Sequence, residues 1–121
     1  MSKRILVVED QEDNRRILRY LLGSAKYEVV EATTAEEGID LAQREHPDLI
    51  LMDIQLPGLD GYEATRRIKG DAELRHIPVI VVTSYALSGD DRTAFEAGCD
   101  AYVTKPFSPR QLLATIQQYL A

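Results

Sequence analysis

The chain has 121 residues, of which 45% are hydrophobic, and its formal net charge is −6 at pH 7. This length fits one domain, residues 1–121, which can bury roughly two-thirds of its unfolded surface. The acidic balance argues against binding to nucleic acid or to an anionic membrane through clustered Lys and Arg. No apolar stretch approaches the roughly 20 residues of a spanning helix. The single cysteine, Cys99, cannot form an internal disulfide, so we expect a cytoplasmic protein.

Three short apolar runs predict strands that are buried on both faces of a sheet. They are Ile5–Val8, Leu49–Met52 and Val79–Val82, and none of them alternates between apolar and polar residues. Two runs with a lower apolar content, Tyr27–Ala32 and Ala101–Thr104, predict strands at the sheet edges.

Segments with helical periodicity follow each of these strands. The first is marked by Ile17, Leu18, Leu21 and Leu22, and the others are residues 34–46, 61–70, 88–98 and 108–120. Thr34 with Glu37 fits a capping box, and Gly98 is typical of a helix end. Ser108 is an expected N-cap, with Pro109 at the first helical position.

A strand followed by a helix, five times over, predicts an α/β fold with a parallel sheet. The crossovers should be right-handed, with helices on both faces. Because the first, third and fourth strands are the most apolar, we place them in the centre. The result is a doubly wound five-stranded sheet of order 2-1-3-4-5, a flavodoxin-like (βα)5 domain, in which ligands bind beyond the carboxyl ends of the strands.

Charged and hydroxyl residues follow several of the strands. Glu9 and Asp10 follow the first strand, Asp53 the third, Thr83 the fourth and Lys105 the fifth. Two carboxylates about 4 Å apart repel by roughly 4 kcal/mol at an effective dielectric near 20, so three together require protons or a cation. Oxygen ligands are those that Mg²⁺ prefers, which predicts a magnesium site with a lysine counter-charge.

Asp53 is the best candidate for a nucleophile that accepts a phosphoryl group. It ends an apolar strand, and we expect its carboxylate to be exposed there. The Pro57–Gly58 pair then turns the chain away, which would keep the approach to Asp53 open.

Four motifs lie at these strand ends in order: "VVED", "LILMDIQLPGLDG", "VVTSYA" and "YVTKPF". Together with the βα pattern, they resemble the response-regulator receiver domain of two-component signalling, of the single-domain chemotaxis-regulator kind. The resemblance covers essentially the whole chain. It implies that Asp53 accepts a phosphoryl group from a phosphohistidine on a histidine kinase or a histidine phosphotransfer protein. It also implies a signalling protein that phosphorylates and dephosphorylates itself with Mg²⁺, and not an enzyme in the usual sense.

The resemblance also implies a set of Mg²⁺ ligands. Asp10, Asp53 and the backbone carbonyl of Gln55 would contact the ion directly. Glu9 would act through a metal-bound water, because its side chain is one methylene longer than the aspartate common at that position.

Further roles follow from the same resemblance. Thr83 would donate a hydrogen bond to a phosphoryl oxygen, and Lys105 would pair with Asp53 or with the phosphoryl group. The peptide bond between Lys105 and Pro106 would be cis and would orient the lysine. Tyr102 matches the aromatic switch position. Its inward turn would remodel the face formed by the fourth helix, fifth strand and fifth helix for a downstream protein target.

Gln55 and Tyr85 lie two residues after Asp53 and Thr83. By analogy with the family, they flank the path of the hydrolytic water. We therefore expect them to tune the lifetime of the phosphoryl group.

Three alternatives remain open at this point. A flavodoxin-like FMN binder shares the fold, but the acidic loop "EDQED" would repel a phosphate unless a metal intervened. An aspartate-nucleophile phosphatase usually carries a second Asp two residues after the nucleophile, where this chain has Gln55. A receiver that serves as a scaffold without phosphorylation is the third. Met1 just before the first strand favours a free-standing receiver, either a monomer or a phosphorylation-dependent dimer. We expect no direct nucleic-acid or membrane partner.

Overall fold

Strands and helices alternate along the chain in the computed structural model, which describes residues 3–54, 56, 58–83, 90–105 and 107–120. The strands are β1 (Arg4–Val8), β2 (Glu28–Ala32), β3 (Leu49–Asp53), β4 (Val79–Thr83) and β5 (Ala101–Thr104). The helices are α1 (Glu12–Ser24), α2 (Ala35–Glu45), α3 (Gly61–Gly70), α4 (Asp90–Glu96) and α5 (Pro109–Leu120). None of the helices in the described part of the chain combines the length and the apolar character that crossing a membrane would need.

The five strands form one parallel sheet in the order β2-β1-β3-β4-β5. This confirms the predicted doubly wound, flavodoxin-like fold and the placement of the two less apolar strands at the edges. Every residue of β3 and β4 is buried, as the apolar runs predicted. The register pairs Val8, the last residue of β1, with Met52 of β3, so β3 extends one residue beyond the end of β1. The residues after β1 therefore lie beside the last residue of β3.

The sheet separates two layers of core side chains. Leu6 and Ile50 belong to the layer that packs against α2 and α3, where Ile68 is fully buried. Ile5 and Leu49 point the other way, into the layer that packs against α1 and α5. Neighbouring residues of a strand serve opposite layers. A strand covered on both faces is therefore apolar throughout, and its end is a rigid support for side chains that follow it.

The helix ends have the predicted capping contacts, except that one hydrogen bond of the capping box is made one residue earlier than expected. Thr34 Oγ1 accepts a hydrogen bond from the Glu37 backbone N–H at 3.1 Å, as in a capping box. The Glu37 carboxylate, however, accepts from the backbone N–H of Thr33 at 2.7 Å, one residue earlier than the motif predicts. Ser108 Oγ accepts from a backbone N–H of α5 at 3.4 Å, and Gly98 after α4 has a φ of +104°.

Candidate functional site

Three carboxylates meet where β1 and β3 end. Glu9 and Asp10 follow β1, and Asp53 is the last residue of β3. One carboxylate oxygen from each of the three lies within 4.8 Å of the others. The structure therefore brings together the acids that the sequence predicted to share one edge of the sheet. We call Glu9, Asp10 and Asp53 the acidic cluster.

The acidic cluster is more buried than the sequence indicated. Asp53 is only 5% exposed and Glu9 only 2%, whereas Asp10 is partly exposed. The prediction of an exposed Asp53 is therefore wrong. Asp53 belongs to a strand that is buried throughout, and Lys105 Nζ contacts its carboxylate at 3.2 Å, which the strand pattern alone does not show.

Lys105 connects two members of the acidic cluster. Its Nζ donates to Glu9 Oε1 at 2.8 Å and to Asp53 Oδ2 at 3.2 Å. Its backbone N–H donates to the carbonyl of Thr83 at 2.7 Å, which fixes the start of this side chain against the end of β4. The predicted pairing of Lys105 with Asp53 is present in this geometry, and the shorter contact with Glu9 was not predicted.

Opposing effects act on the pKa of Lys105. Burial alone would lower it, but the hydrogen bond to Glu9 and the charges of Asp53 and Glu9 together raise it above its ordinary value. The ammonium is therefore charged at neutral pH. Formally, three carboxylates and one ammonium leave two negative charges at the site.

The titration of Lys105 should reflect these partners. In the metal-free protein, we expect its NMR titration midpoint to lie above the ordinary lysine value of 10.5, because Glu9 and Asp53 favour the charged form. A folded-state pKa above the ordinary 10.5 means that the ion pairs stabilise the fold fully below that pH. Their contribution is lost as the pH rises through the folded-state pKa. The carbon-13 shifts of labelled Lys105 measure this midpoint, and a midpoint at or below 10.5 would contradict the prediction.

Thr83 and Tyr102 lie on the two strands next to Asp53. Thr83 is fully buried and ends β4, one residue beyond Val82, which pairs with Asp53 in the register. Tyr102 of β5 is half-buried and packs against a small cluster under α4 that includes Ala94. Both residues therefore occupy the strand positions that the sequence assigned to them.

Some predicted features fall outside the described residues. These are Gln55, Tyr85, the turn at Pro57 and the Lys105–Pro106 peptide bond. What the sequence predicted for them remains a prediction. On the described side of the turn, Gly58 has a φ of +75°, a conformation that favours glycine.

The acidic cluster fits a hard divalent cation. All of its ligand atoms are carboxylate oxygens, and the site keeps a formal negative charge after Lys105 is counted. Both oxygens of Glu9 already accept hydrogen bonds, from Lys105 Nζ and from the Gln11 backbone N–H at 3.2 Å. Among the described residues, Asp10 accepts only a long contact from Gln11 Nε2, at 3.5 Å. Asp10 is therefore better disposed than Glu9 to contact an ion directly.

Two residues that shape the site were missed from the sequence. Arg15 Nη1 donates to the backbone carbonyl of Glu9 at 2.9 Å, although the run "QEDNRR" predicted only the start of a helix. Gly61 begins α3 so close to β3 that an added Cβ would lie 2.3 Å from the carbonyl oxygen of Asp53. A signal for Gly61 was present, because Asp60–Gly61 directly precedes a helical segment.

Comparison with known proteins identifies the family to which the chain belongs. The model of the response regulator receiver domain family matches residues 5–117. The chain belongs to this family. Its acidic cluster and Lys105 thus lie in a receiver domain of two-component response regulators, as the motifs predicted.

Relatives and solved structures agree over nearly the whole chain. The polar-differentiation response regulator DivK of Brucella ovis is 47% identical over 120 residues, which cover 99% of this chain and 98% of DivK. A CheY-like receiver domain protein from Methanospirillum hungatei is 35% identical, with a TM-score of 0.91 over 99% of this chain and 94% of that one. The receiver domain of a sensor histidine kinase from Pseudomonas aeruginosa is 36% identical, with a TM-score of 0.92 over 99% and 98% of the two chains. That structure has a magnesium ion coordinated in its active site cleft.

Membership in the family sets the general function. Receiver domains are phosphoryl-accepting signalling proteins and not classical enzymes, and they work with a histidine kinase and a downstream target. The flavin-binding and phosphatase alternatives therefore lose their support.

Proposed function

We propose that Asp53 is the phosphoacceptor of one receiver domain that comprises residues 1–121. The donor would be a phosphohistidine on a histidine kinase or a phosphotransfer protein. One observation carries the proposal: Asp53 ends a central strand within 4.8 Å of two further carboxylates and accepts a hydrogen bond from Lys105. No other carboxylate of the cluster combines a strand end with these contacts.

The proposed phosphoryl transfer to Asp53 forms one bond to the phosphorus atom and breaks another. A carboxylate oxygen of Asp53 attacks the phosphorus, and the phosphorus–nitrogen bond to the imidazole of the donor breaks. The electron pair of that bond stays on the imidazole nitrogen, and an acyl phosphate forms on Asp53. Catalysis of such a transfer depends on positioning and on neutralising the phosphoryl oxygens.

The residues that would hold Mg²⁺ are Asp10, Asp53 and the backbone carbonyl of Gln55, with Glu9 acting through a water. When bound, the ion would supply positive charge to the phosphoryl oxygens and to Asp53. Lys105 would add a second positive charge, because its hydrogen bond to Glu9 keeps the ammonium beside Asp53 even when the Asp53 oxygen changes partner. Thr83 would donate its hydroxyl to a phosphoryl oxygen.

Thr83 and Tyr102 would couple phosphorylation to the surface of the protein. Thr83 is fully buried, so movement toward a phosphoryl group would leave unfilled space in a close-packed interior. The half-buried Tyr102 ring would turn inward to fill it. The ring also lines a surface groove of about 490 Å³ with Phe107 and Gln111. The switch would therefore remodel the α4–β5–α5 face, where a downstream protein would bind.

Gln55 and Tyr85 would set how long the phosphoryl group persists. By analogy with the family, both side chains would flank the path of the hydrolytic water. We therefore expect Tyr85→Ala to dephosphorylate faster, because loss of the ring would open that path, and Gln55→Ala to change the rate by removing an amide. The decay of labelled protein after removal of the phosphodonor measures both rates. Decay at the parent's rate in both variants would rule out this tuning.

The decisive experiment is phosphorylation by acetyl phosphate with and without Mg²⁺. We expect Mg²⁺-dependent labelling of the parent and no labelling of Asp53→Asn. Asp13→Asn is a matched control, because it makes the same chemical change at a carboxylate that is 88% exposed. Labelling that persists in Asp53→Asn would contradict the proposal, and a folded parent that takes no label under any condition would favour the scaffold reading.

A further inference from the structure

Arg15 reaches back from the first turns of α1 to the backbone of the acidic cluster. Its Nη1 donates to the main-chain carbonyl of Glu9 at 2.9 Å. The guanidinium also contacts the carboxylate of Glu12 through Nη2, and its Nε lies 3.4 Å from Glu31 Oε1. The Arg15 side chain is only 12% exposed, which is unusual for an arginine near the start of a surface helix.

The Glu9 carbonyl belongs to the peptide unit that joins Glu9 to Asp10. The other polar group of the Glu9 main chain, its N–H, donates to the carbonyl of Ala32 on β2 at 3.0 Å. With Arg15 on the carbonyl, both backbone groups of Glu9 are fixed. The plane of the following peptide determines where the Asp10 side chain leaves the backbone. Asp10 is also the partly exposed member of the cluster, so packing holds it less firmly than Glu9 or Asp53.

Arg15 is itself held in place from β2. Glu31 accepts two hydrogen bonds from Arg19, at 2.6 Å and 2.8 Å, and this bidentate pair orients its carboxylate toward Arg15 as well. The hydrogen bond from Arg19 outweighs the effect of burial and lowers the pKa of Glu31, so Glu31 remains charged at neutral pH. A planar guanidinium can serve a carbonyl and two carboxylates at once, which a lysine ammonium cannot match in geometry.

We propose that Arg15 is a positioning residue for the magnesium site and acts through the Glu9 carbonyl on the direction of Asp10. The inference rests on the proposed function, because it assigns Mg²⁺ to Asp10 and Asp53. Partners that orient metal ligands typically change metal affinity about 10- to 100-fold when they are removed. Arg15 has the contacts of such a partner without touching the ion.

The direction of the change in Mg²⁺ affinity distinguishes a positioning role of Arg15 from a purely electrostatic one. Loss of a nearby positive charge on its own would strengthen the attraction of a cation to the acidic cluster. Loss of positioning would weaken it. We therefore expect Arg15→Gln to raise the dissociation constant of Mg²⁺ by about 10-fold. Isothermal titration calorimetry of the full chain with Mg²⁺ alone measures it, without reference to phosphorylation.

A second readout uses the metal-free protein. In Arg15→Gln, the amide NMR signals of Asp10 and Gln11 should shift or broaden, while those at the carboxyl end of β4 stay in place.

Arg16→Gln is the matched control, because it removes the same charge from the next residue, which is 66% exposed. We expect its Mg²⁺ dissociation constant to stay within about twofold of the parent's, since an exposed charge is screened by solvent.

Arg15→Lys keeps the charge and most of the aliphatic stem, and it decides the question if Arg15→Gln does not fold. We expect weaker Mg²⁺ binding in Arg15→Lys also, because one ammonium cannot reproduce the several directed hydrogen bonds of the planar guanidinium. Parent-like or tighter binding in a folded Arg15 variant would overturn the inference. Failure of acetyl phosphate to label the parent would instead contradict the proposed function. The calorimetric result does not depend on phosphorylation, so it would still test the role of Arg15 in Mg²⁺ binding.

Discussion

Replacing Lys105 by glutamine should slow phosphorylation by acetyl phosphate by roughly 100-fold to 1000-fold at saturating Mg²⁺. The ammonium lies 3.2 Å from Asp53 Oδ2 and 2.8 Å from Glu9 Oε1, and is held there by both acids. Glutamine has a donor of similar reach but no charge. The variant would therefore lose the positive charge that we propose stabilises the phosphoryl oxygens during transfer.

The same variant should bind Mg²⁺ more tightly than the parent. The ammonium would compete with the ion for Glu9 and Asp53, and its removal leaves the formal charge of the cluster more negative by one. Opposite changes in affinity and in rate distinguish loss of charge stabilisation from general damage to the site. Lys3→Gln, at an exposed lysine, is the control and should match the parent in both measurements. A Lys105→Gln rate equal to the parent's would remove this lysine from the mechanism.

Gly61→Ala should destabilise the fold and disturb Asp53 together. The added Cβ would lie 2.3 Å from the Asp53 carbonyl oxygen and 2.8 Å from the Ile54 Cα, and these are backbone atoms at the end of the strand that carries Asp53. Such overpacking typically costs about 1–3 kcal/mol. The start of α3 or the end of β3 must move, so we also expect slower labelling by acetyl phosphate.

Gly70→Ala is the matched control in the same helix. An added Cβ at Gly70 meets nothing within 4 Å, and replacing a helical glycine by alanine stabilises by about 0.4–1 kcal/mol where the backbone permits it. The two variants should thus change the free energy of unfolding in opposite directions in urea titrations. A Gly61→Ala protein as stable as Gly70→Ala would mean that the approach of α3 to β3 is not fixed in solution.

The arrangement of strands and helices was predictable from local patterns. Continuous apolar runs such as Leu49–Met52 predicted buried central strands, because a strand covered on both faces has no polar side. The strand order then placed Glu9, Asp10 and Asp53 at one edge. These inferences depend only on which residues follow each strand, and that can be taken directly from the sequence.

The contacts over the site were less predictable. The pair between Glu9 and Lys105 joins residues 96 positions apart, and the sequence indicated only that both lie at the same edge. The Asp53 carboxylate, which we expected to be exposed, is buried and in contact with Lys105. Arg15 was missed because its functional partner is a backbone carbonyl, which has no signature in the residue types. Gly61 was missed because the closeness of α3 to β3 depends on packing across the layer.

The identity of the phosphorylated residue is the central claim, and it can be measured directly on the unmodified chain. After reaction with acetyl phosphate and Mg²⁺, borohydride reduces an acyl phosphate to an alcohol, and peptide mass spectrometry locates the changed residue. We predict the change at Asp53, with Glu9 and Asp10 unmodified. Modification at Glu9 or Asp10 with an intact Asp53 would contradict the account.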